Sequence, residues 1–226
     1  MAAPSHLAIR ISAAPAVHDR RSTVSVPARY TVSARFYDIL SLEWPVYRAG
    51  RVTAIGAMGL LPGMRVLDLG CGTGLNHPLL VDAVGPTGTV IGVDSSRQML
   101  AQARHRSSRH GWRNVVLVQA DMTTIDGLGP VDAVIATYTL SVVPGWERAW
   151  ALALSAIRPG GRMAVVDMQL PVGPARVAGP LARLACAAGG ADIHAHPWTA
   201  LERDCTDVTA VSLRAAHVQV RVGTRP

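Results

Sequence analysis

A glycine-rich loop that directly follows a short apolar run constrains the fold of this chain more than any other feature. The run is Val66-Leu67-Asp68-Leu69, and the loop continues as Gly70-Cys71-Gly72-Thr73-Gly74. Glycine has no Cβ atom, so such a loop can turn tightly and bring backbone N–H groups close to a ligand. Together with the helical pattern from Leu75 to Val84, it predicts a strand, a ligand-binding loop and a helix in succession.

The same alternation of strands and helices continues along the chain. Further strands are predicted at residues 89–94, 115–118, 131–136 and 162–166. One helix is predicted after a cap at Ser95 or Ser96, and another over residues 146–157. Strands that are apolar nearly from end to end are typical of a mainly parallel sheet covered by helices on both faces. The last two apolar runs, 208–213 and 217–222, stand too close for a crossover helix and predict an antiparallel hairpin. A doubly wound, seven-stranded α/β sheet is therefore expected.

Length and composition fit one domain with an N-terminal extension. The 226 residues are 49% apolar and 16% charged, which suffices for one sizeable core. Residues 1–27 mix Ala, Ser, Pro and Arg without periodicity and are predicted to be disordered. Residues 28–226 are predicted to form the single domain, which opens with helices at about 36–42 and 46–60.

Charge and cysteine content narrow the class of protein. The net charge of +7 comes from arginine alone, since no lysine occurs, and codon bias explains it as simply as an anionic partner does. No pattern of basic and aromatic residues typical of RNA recognition accompanies it, so no nucleic-acid partner is expected. Three cysteines without a CxxC pair indicate a reduced, cytoplasmic protein. No apolar run reaches the roughly 20 residues of a membrane-spanning helix.

The spacing of the glycines distinguishes two classes of cofactor. A dinucleotide-binding loop requires G-x-G-x-x-G, and Leu75 stands where its third glycine belongs. The pattern D-x-G-x-G-x-G from Asp68 to Gly74 instead resembles class I S-adenosylmethionine-dependent methyltransferases, and the resemblance extends from about Phe36 to Val222. It implies the Rossmann-like fold of that class and S-adenosylmethionine as cofactor, with S-adenosylhomocysteine as product and no metal.

The resemblance also implies roles for residues of the loop. Gly70 and Gly72 would border the methionine part of the cofactor, and Asp68 would orient its amino group directly or through water. The other cofactor contacts that it implies outside the strand ends are Cys71, Gly74, Ser95 and Met99.

Polar residues after the next strands complete the implied cofactor site. Asp94 would bind the ribose hydroxyls, since a carboxylate accepts two charge-assisted hydrogen bonds. Asp121 and Met122 would contact adenine, and Thr137 and Tyr138 would line the methyl-transfer region. Carboxylates after three successive strands, in this order, are a more specific signal than a glycine loop alone.

A closer resemblance bears on the methyl acceptor. Residues 138–146, 158–162, 165–167 and 190–198 are similar to bacterial enzymes that N-methylate phosphatidylethanolamine or betaine-lipid head groups. The Phe36-Tyr37-Asp38 helix is similar to the N-terminal lid of that group and of ubiquinone/menaquinone C-methyltransferases, which implies a lid over about residues 28–60. N-methylation of an amine head group is therefore expected, with C-methylation of a quinone-type ring as the alternative. Tyr37 and Tyr138 are catalytic candidates, and no general base is identified.

Three features leave alternatives open. Tyr37, Tyr138 and Trp146 fit either cation–π binding of a methylated ammonium or core packing. Residues 176–188 are apolar with arginines at the edge, as in a lid or in a helix that contacts a membrane peripherally, although Gly179-Pro180 interrupts them. His194-Ala195-His196 lacks a third ligand nearby, so no metal site is expected.

Two functional classes compete with a methyltransferase. A chain that keeps the fold without turnover would be a cofactor-binding protein, which tight binding of S-adenosylmethionine without methylation would indicate. A nicotinamide oxidoreductase would prefer NADH, despite Leu75. The identity of a small-molecule or lipid acceptor and the oligomeric state are left open by the sequence.

Overall fold

A computed structural model of the protein describes residues 46–125 and 127–226. The predictions for residues 1–45, including the extension, the helix at 36–42 and Tyr37, lie outside the described residues. The helices are α1 (Arg48–Ala57), α2 (His77–Val84), α3 (Arg97–His110), α4 (Trp146–Ala156), α5 (Gly179–Gly189) and α6 (Trp198–Asp204). The strands are β1 (Arg65–Leu69), β2 (Thr89–Asp94), β3 (Val115–Gln119), β4 (Val131–Thr137), β5 (Ile157–Met168), β6 (Thr206–Leu213) and β7 (Val218–Thr224). Two 3₁₀ helices, Leu140–Val142 and Gly173–Ala178, precede α4 and α5.

Seven strands form one sheet in the order β3-β2-β1-β4-β5-β7-β6. β1 pairs in parallel with β2 and β4, β2 with β3, and β4 with β5. β7 runs antiparallel to both β5 and β6. The predicted sheet, mainly parallel with a C-terminal antiparallel hairpin, is confirmed. Its strand order reverses between β1 and β4, and open α/β sheets bind ligands at the carboxyl ends of the strands at such a point.

Helices cover both faces of the sheet, which explains why its central strands are apolar throughout. On one face, Leu67 of β1 belongs to a core cluster with Trp150 of α4 and Leu201 of α6. On the other face, Val66 belongs to a cluster with Leu80 of α2. Neighbouring residues of β1 therefore serve opposite layers. Each fully buried side chain of this kind contributes about 1.5–3 kcal/mol to folding.

Among the element boundaries that differ from the predicted ones, two have a clear physical cause. α2 begins at His77 rather than Leu75, because the Asn76 side chain bonds to Asp68 and the loop continues that far. β5 begins at Ile157 and includes Pro159-Gly160-Gly161, where a helix end and a turn were predicted. The register against β4 shifts over this segment, and such an irregularity accommodates proline and glycine within a strand.

The segment after β5 forms a 3₁₀ helix and α5 instead of one continuous helix. The break lies at Gly179-Pro180, as predicted, with the proline at the start of α5. Cys186 of α5 packs against Met168, whereas Leu181 and Leu184 on the opposite side of the helix are exposed. No helix within the described residues is long and apolar enough to cross a membrane.

Candidate functional site

The glycine loop between β1 and α2 allows close approach to its backbone. Gly70, Gly72 and Gly74 all have positive φ angles, of 68°, 54° and 79°. A Cβ atom on Gly70 would lie 2.0 Å from the Thr139 hydroxyl oxygen, and one on Gly74 would lie 2.6 Å from Nδ1 of His77. A Cβ atom on Gly72 would meet no atom of the described residues within 4 Å. Packing behind the loop therefore requires Gly70 and Gly74, whereas Gly72 borders open space that a ligand can use.

Asp94, at the end of β2, holds the loop in place. Its Oδ2 atom accepts a hydrogen bond from the Gly72 amide at 2.9 Å, and its Oδ1 atom accepts one from the Ser96 amide at 2.8 Å. Ser96 also caps α3 by accepting a bond from the Met99 amide at 3.3 Å. Burial raises the pKa of Asp94, and the two amide bonds oppose this shift. Each carboxylate oxygen can accept a further bond, so the site retains acceptors for two hydroxyl groups.

Asp68, at the end of β1, is fully buried in a polar network behind the loop. Its Oδ1 atom accepts a bond from Asn76 Nδ2 at 2.8 Å, and Nδ2 also donates to the Thr137 hydroxyl at 3.1 Å. Arg51 donates to Asn76 Oδ1 at 3.1 Å and to the Thr137 hydroxyl. Burial raises the pKa of Asp68 to about 6, although the Asn76 bond and the Arg51 charge act to lower it.

His77 is the second buried titratable group behind the loop. Its Nε2 atom lies 3.5 Å from Asp68 Oδ2. Burial, with a smaller effect of the Arg106 charge, lowers the pKa of His77 to about 4, so the ring is neutral at pH 7 and the contact is not an ion pair. Within the described residues, Asp68 Oδ2 and both ring nitrogens lack a hydrogen-bond partner. A buried carboxylate oxygen with unused acceptor capacity suits an ammonium group, reached directly or through water.

The third predicted carboxylate stands next to the end of β2. The Ala120 amide donates to the Asp94 carbonyl at 3.1 Å, so Asp121 follows directly beside that strand end. Asp121 is exposed and its Oδ1 atom accepts bonds from the Thr123 amide at 2.8 Å and the Thr123 hydroxyl at 2.7 Å. Met122 is buried in the main core. Of the other predicted contacts, Ser95 is exposed, whereas Cys71 and Met99 are buried.

Two tyrosines meet where β4 ends. Tyr138 follows β4 with a positive φ of 55°, and its hydroxyl donates to the Tyr47 carbonyl at 2.8 Å. The two rings lie 4.9 Å apart at an interplanar angle of 58°. The Arg51 guanidinium lies 5.1 Å from the Tyr138 ring centre, and its bond to Thr137 joins the aromatic pair to the buried network. Trp146 packs against the main core instead.

A second buried carboxylate organises the segment that follows Tyr138. Asp167 of β5 accepts bonds from the Ser141 hydroxyl at 2.7 Å, the Ser141 amide at 3.1 Å and the Met168 amide at 2.9 Å. Burial raises the pKa of Asp167 to about 6, and these bonds oppose the shift. Its oxygens are committed to the backbone and to Ser141, so Asp167 positions this segment.

Several residues of the site were not predicted from the sequence. Arg51, Asn76 and His77 complete the network around Asp68, but none stands in a motif, and their contacts depend on the path of the loop. The available signal was a pair of polar residues, Asn76 and His77, at the start of an apolar helical pattern. Tyr47 and His217 are 170 positions apart and only the fold brings them together.

No metal site accompanies these residues in the part of the chain that the structure describes. No group of three or more potential ligands is close enough together there to hold a metal ion. Cys71, Cys186 and Cys205 are all buried, and none of the three forms a disulfide.

Comparison with known proteins identifies relatives of this chain. Residues 60–204, more than half of the chain, match the family model of a methyltransferase domain. The chain is similar to phosphatidylethanolamine N-methyltransferase from Cereibacter sphaeroides, with 38% identity over 122 residues that cover 53% of this chain and 56% of that protein. It is also similar to demethylmenaquinone methyltransferase from Lactococcus lactis subsp. lactis, with 31% identity over 125 residues that cover 55% and 50%.

A solved structure shares the fold. The crystal structure of a SAM dependent methyltransferase from Aquifex aeolicus aligns with a TM-score of 0.60 at 18% identity, covering 84% of this chain and 93% of that one. The chain spans about half the length of the two curated relatives, which are named for different acceptors.

Proposed function

Because the chain belongs to the methyltransferase domain family, we propose that it transfers the methyl group of S-adenosylmethionine to a small-molecule or lipid-like acceptor that carries an amine. The observation that carries this proposal is the grouping of Asp68, Asp94 and Asp121 at the ends of three neighbouring strands around an open glycine loop. A packing role alone gives no reason for three carboxylates at one edge of an apolar sheet.

The residues present fit the cofactor at each of its parts. Asp94 retains acceptor capacity on both oxygens for the ribose hydroxyls. Asp68 Oδ2, which is buried and has no hydrogen-bond partner among the described residues, would attract the methionine amino group directly or through water. Asp121 would accept from the adenine amine, with Met122 beside the ring. When bound, the cofactor supplies a methyl carbon on a sulfonium whose leaving group is already activated.

The protein's own contribution to the reaction is to align the acceptor with the methyl carbon and to exclude water from the site. An in-line displacement needs the acceptor held against the methyl carbon, and proximity of this kind supplies roughly 7–11 kcal/mol. Thr137 and Tyr138, at the end of β4, would form the wall of that region, and the tilted Tyr47–Tyr138 pair offers aromatic surface to an amine. The 38% identity to a phosphatidylethanolamine N-methyltransferase supports an amine over a ring carbon.

We also propose that the segment after β5 contacts an anionic lipid surface. It carries three exposed apolar side chains, the first in the 3₁₀ helix and the other two on α5, with exposed fractions of 89%, 69% and 68%: Val177, Leu181 and Leu184. Arg176 and Arg183 flank them, and no acidic residue occurs from residue 168 to residue 191. Apolar side chains with arginines and without carboxylates suit the boundary between acyl chains and anionic head groups. The segment leaves β5 at its carboxyl end, which would bring a lipid acceptor to the site.

A direct test is incubation with methyl-labelled S-adenosylmethionine and dioleoylphosphatidylethanolamine in mixed micelles, followed by solvent partition. We expect organic-phase label that co-migrates with the N-methylated lipid. Label on an added demethylated quinone instead would assign C-methylation. Cofactor binding by calorimetry without any transfer would indicate a silent cofactor-binding protein, and tighter binding of NADH would overturn the family-based proposal.

A further inference from the structure

The proposed N-methylation requires a proton acceptor, because a protonated amine has no lone pair with which to attack the methyl carbon. Two side chains of suitable chemistry meet at the edge of the sheet where β4 and β5 end. Tyr47 directly precedes α1, and His217 directly precedes β7, whose first residue pairs with Met168 at the end of β5. The Tyr47 ring also contacts Tyr138, which follows Thr137 in the methyl-transfer region.

The contacts of His217 determine which ring nitrogen carries the proton. Nδ1 lies 2.6 Å from the Gln169 carbonyl oxygen, which can only accept, so Nδ1 is protonated. In the neutral ring Nε2 then carries the lone pair, and it faces the Tyr47 hydroxyl at 3.4 Å. The hydroxyl therefore donates toward Nε2. Such a long contact is common for catalytic pairs before the substrate binds.

The backbone that leads into His217 is strained. Arg214, Ala215 and Ala216 have φ angles of 53°, 53° and 62°, in the left-handed region that side chains with a Cβ atom disfavour. The His217 carbonyl accepts a bond from the Gln169 amide at 2.9 Å, so Gln169 holds both the backbone and the ring. Strain of this kind persists where the surrounding structure imposes it and is concentrated at functional sites.

Of the charged groups near the pair, Arg51 favours a neutral amine. Arg51 of α1 places its guanidinium 5.1 Å from the Tyr138 ring centre, and a nearby positive charge disfavours an ammonium ion. Asp167 of β5, two residues before Gln169, has its carboxylate bonded to Ser141 and Met168. His217 itself is 9% exposed, whereas Tyr47 is half-buried. His217 is therefore shielded from water, and Tyr47 keeps surface that an acceptor can reach.

We propose that Tyr47 and His217 act as the proton-accepting pair for the amine. The Tyr47 oxygen takes the proton from the ammonium while the phenol proton passes to His217 Nε2. The nitrogen lone pair that is released forms the bond to the methyl carbon, and the electron pair of the breaking carbon–sulfur bond stays on sulfur. The Gln169 carbonyl, which accepts from Nδ1, stabilises the imidazolium that results. Tyr47 touches the substrate, and His217 acts through Tyr47.

The test compares Tyr47→Phe with the wild type in the micelle assay with dioleoylphosphatidylethanolamine across pH 6.5 to 10. General bases contribute about 10²–10⁴-fold to rates. We expect a loss of turnover in this range at pH 7 with unchanged affinity for S-adenosylmethionine. The loss should shrink as the pH rises, because at high pH the amine arrives without its proton.

Tyr138→Phe is the matched control, since it also removes a phenol hydroxyl, and that hydroxyl donates to the Tyr47 carbonyl at 2.8 Å. Any loss in that variant should be equal at every pH, and circular dichroism checks that both variants fold. Wild-type turnover in Tyr47→Phe, or a loss independent of pH, would overturn this inference alone. If the wild-type protein methylates no amine at any pH, the proposed function fails and the pair fails with it.

Discussion

At the scale of single residues, the site contains a carboxyl group whose burial disfavours its ionised form. Asp68 has no exposed surface, and its pKa is raised from 3.8 to about 6. Because the pKa is higher in the folded state, the stability that protonated Asp68 contributes is present below pH 4 and is lost as the pH rises through 6. Above pH 7 the ionised group costs about 3 kcal/mol, in order of magnitude. A residue retained at such a cost is expected to serve the ligand.

Replacing Asp68 by asparagine should stabilise the fold and weaken cofactor binding. The amide keeps an oxygen for Asn76 and can donate toward His77 Nε2, which lacks a partner among the described residues. We expect Asp68→Asn to raise the free energy of unfolding by about 1–3 kcal/mol at pH 8. At pH 5 the difference from the wild type should be smaller, because Asp68 is then largely protonated in the folded protein. Urea denaturation at both pH values measures the difference.

The same substitution on the surface is the control for this prediction. Asp82 lies exposed on α2, so Asp82→Asn should change the free energy of unfolding by less than about 0.5 kcal/mol at either pH. A destabilised Asp68→Asn at pH 8 would mean that its hydrogen bonds outweigh the desolvation of its charge.

Asp94 combines two roles, and its removal should remove cofactor binding. Asp94→Ala leaves the amides of Gly72 and Ser96 without acceptors and removes the carboxylate proposed to bind the ribose. Charge-assisted bonds contribute about 1.5–3 kcal/mol each, so we expect at least about a hundredfold weaker binding of S-adenosylmethionine by calorimetry. Asp82→Ala should bind as the wild type does. Unchanged affinity in Asp94→Ala would contradict the assignment of the ribose site.

The sequence predicted these strand-end carboxylates but not their partners. A carboxylate after an apolar run is visible from composition alone, and parallel strands necessarily bring such positions to one edge. The Asn76 and Arg51 contacts depend instead on where α2 begins and on how α1 crosses the sheet. No local pattern encodes either of these, and the same holds for His217 and Tyr47.

At the scale of elements, α5 has two different apolar sides. Cys186 on the inner side belongs to a small cluster with Met168 and Ile193, near the Tyr47–Tyr138 pair. The outer side exposes Leu181 and Leu184. A short helix gains little stability from helix propensity alone, so the contacts of its inner side stabilise α5. The outer side remains available to a partner.

Placing negative charges on the outer side of α5 should strongly weaken vesicle binding. We expect the wild-type protein to pellet with vesicles containing phosphatidylglycerol, and the double variant Leu181→Asp, Leu184→Asp to bind at least about tenfold more weakly. Leu61→Asp is the matched control, because Leu61 is 60% exposed and precedes β1 at the opposite edge of the sheet. Equal pelleting of the double variant and the wild type would contradict lipid contact by this face.

Element boundaries followed the sequence where local chemistry decides them. Ser96 accepts the capping bond of α3, and Gly179-Pro180 separates α5 from the 3₁₀ helix, both as the residue types predict. The start of β5 was predicted wrongly because Pro159-Gly160-Gly161 is typical of a turn. Pairing of Ile157 with Val131 extends the strand across it, which is a tertiary effect.

At the scale of the whole molecule, the order of the strands follows from simple rules. Apolar strands that alternate with helices require a covered parallel sheet, and two closely spaced strands at the end require an antiparallel pair. The proposed cofactor site lies on elements from α1 to the segment after β4, and the family match begins only at residue 60. We propose that acceptor recognition also uses residues before that region, since Tyr37 is a catalytic candidate from the N-terminal lid that the sequence predicts.

Two truncations should therefore separate cofactor binding from turnover. A chain that begins at residue 28 lacks only the segment predicted to be disordered, so we expect its transfer to dioleoylphosphatidylethanolamine to stay within about twofold of the wild type. A chain that begins at residue 46 keeps Arg51 and the glycine loop but loses Tyr37. It should bind S-adenosylmethionine normally by calorimetry and lose turnover, because the predicted lid would no longer cover the acceptor and exclude water. Loss of turnover in the shorter truncation would place residues 1–27 in the acceptor site, and full turnover in the longer one would remove Tyr37 and the lid from the reaction.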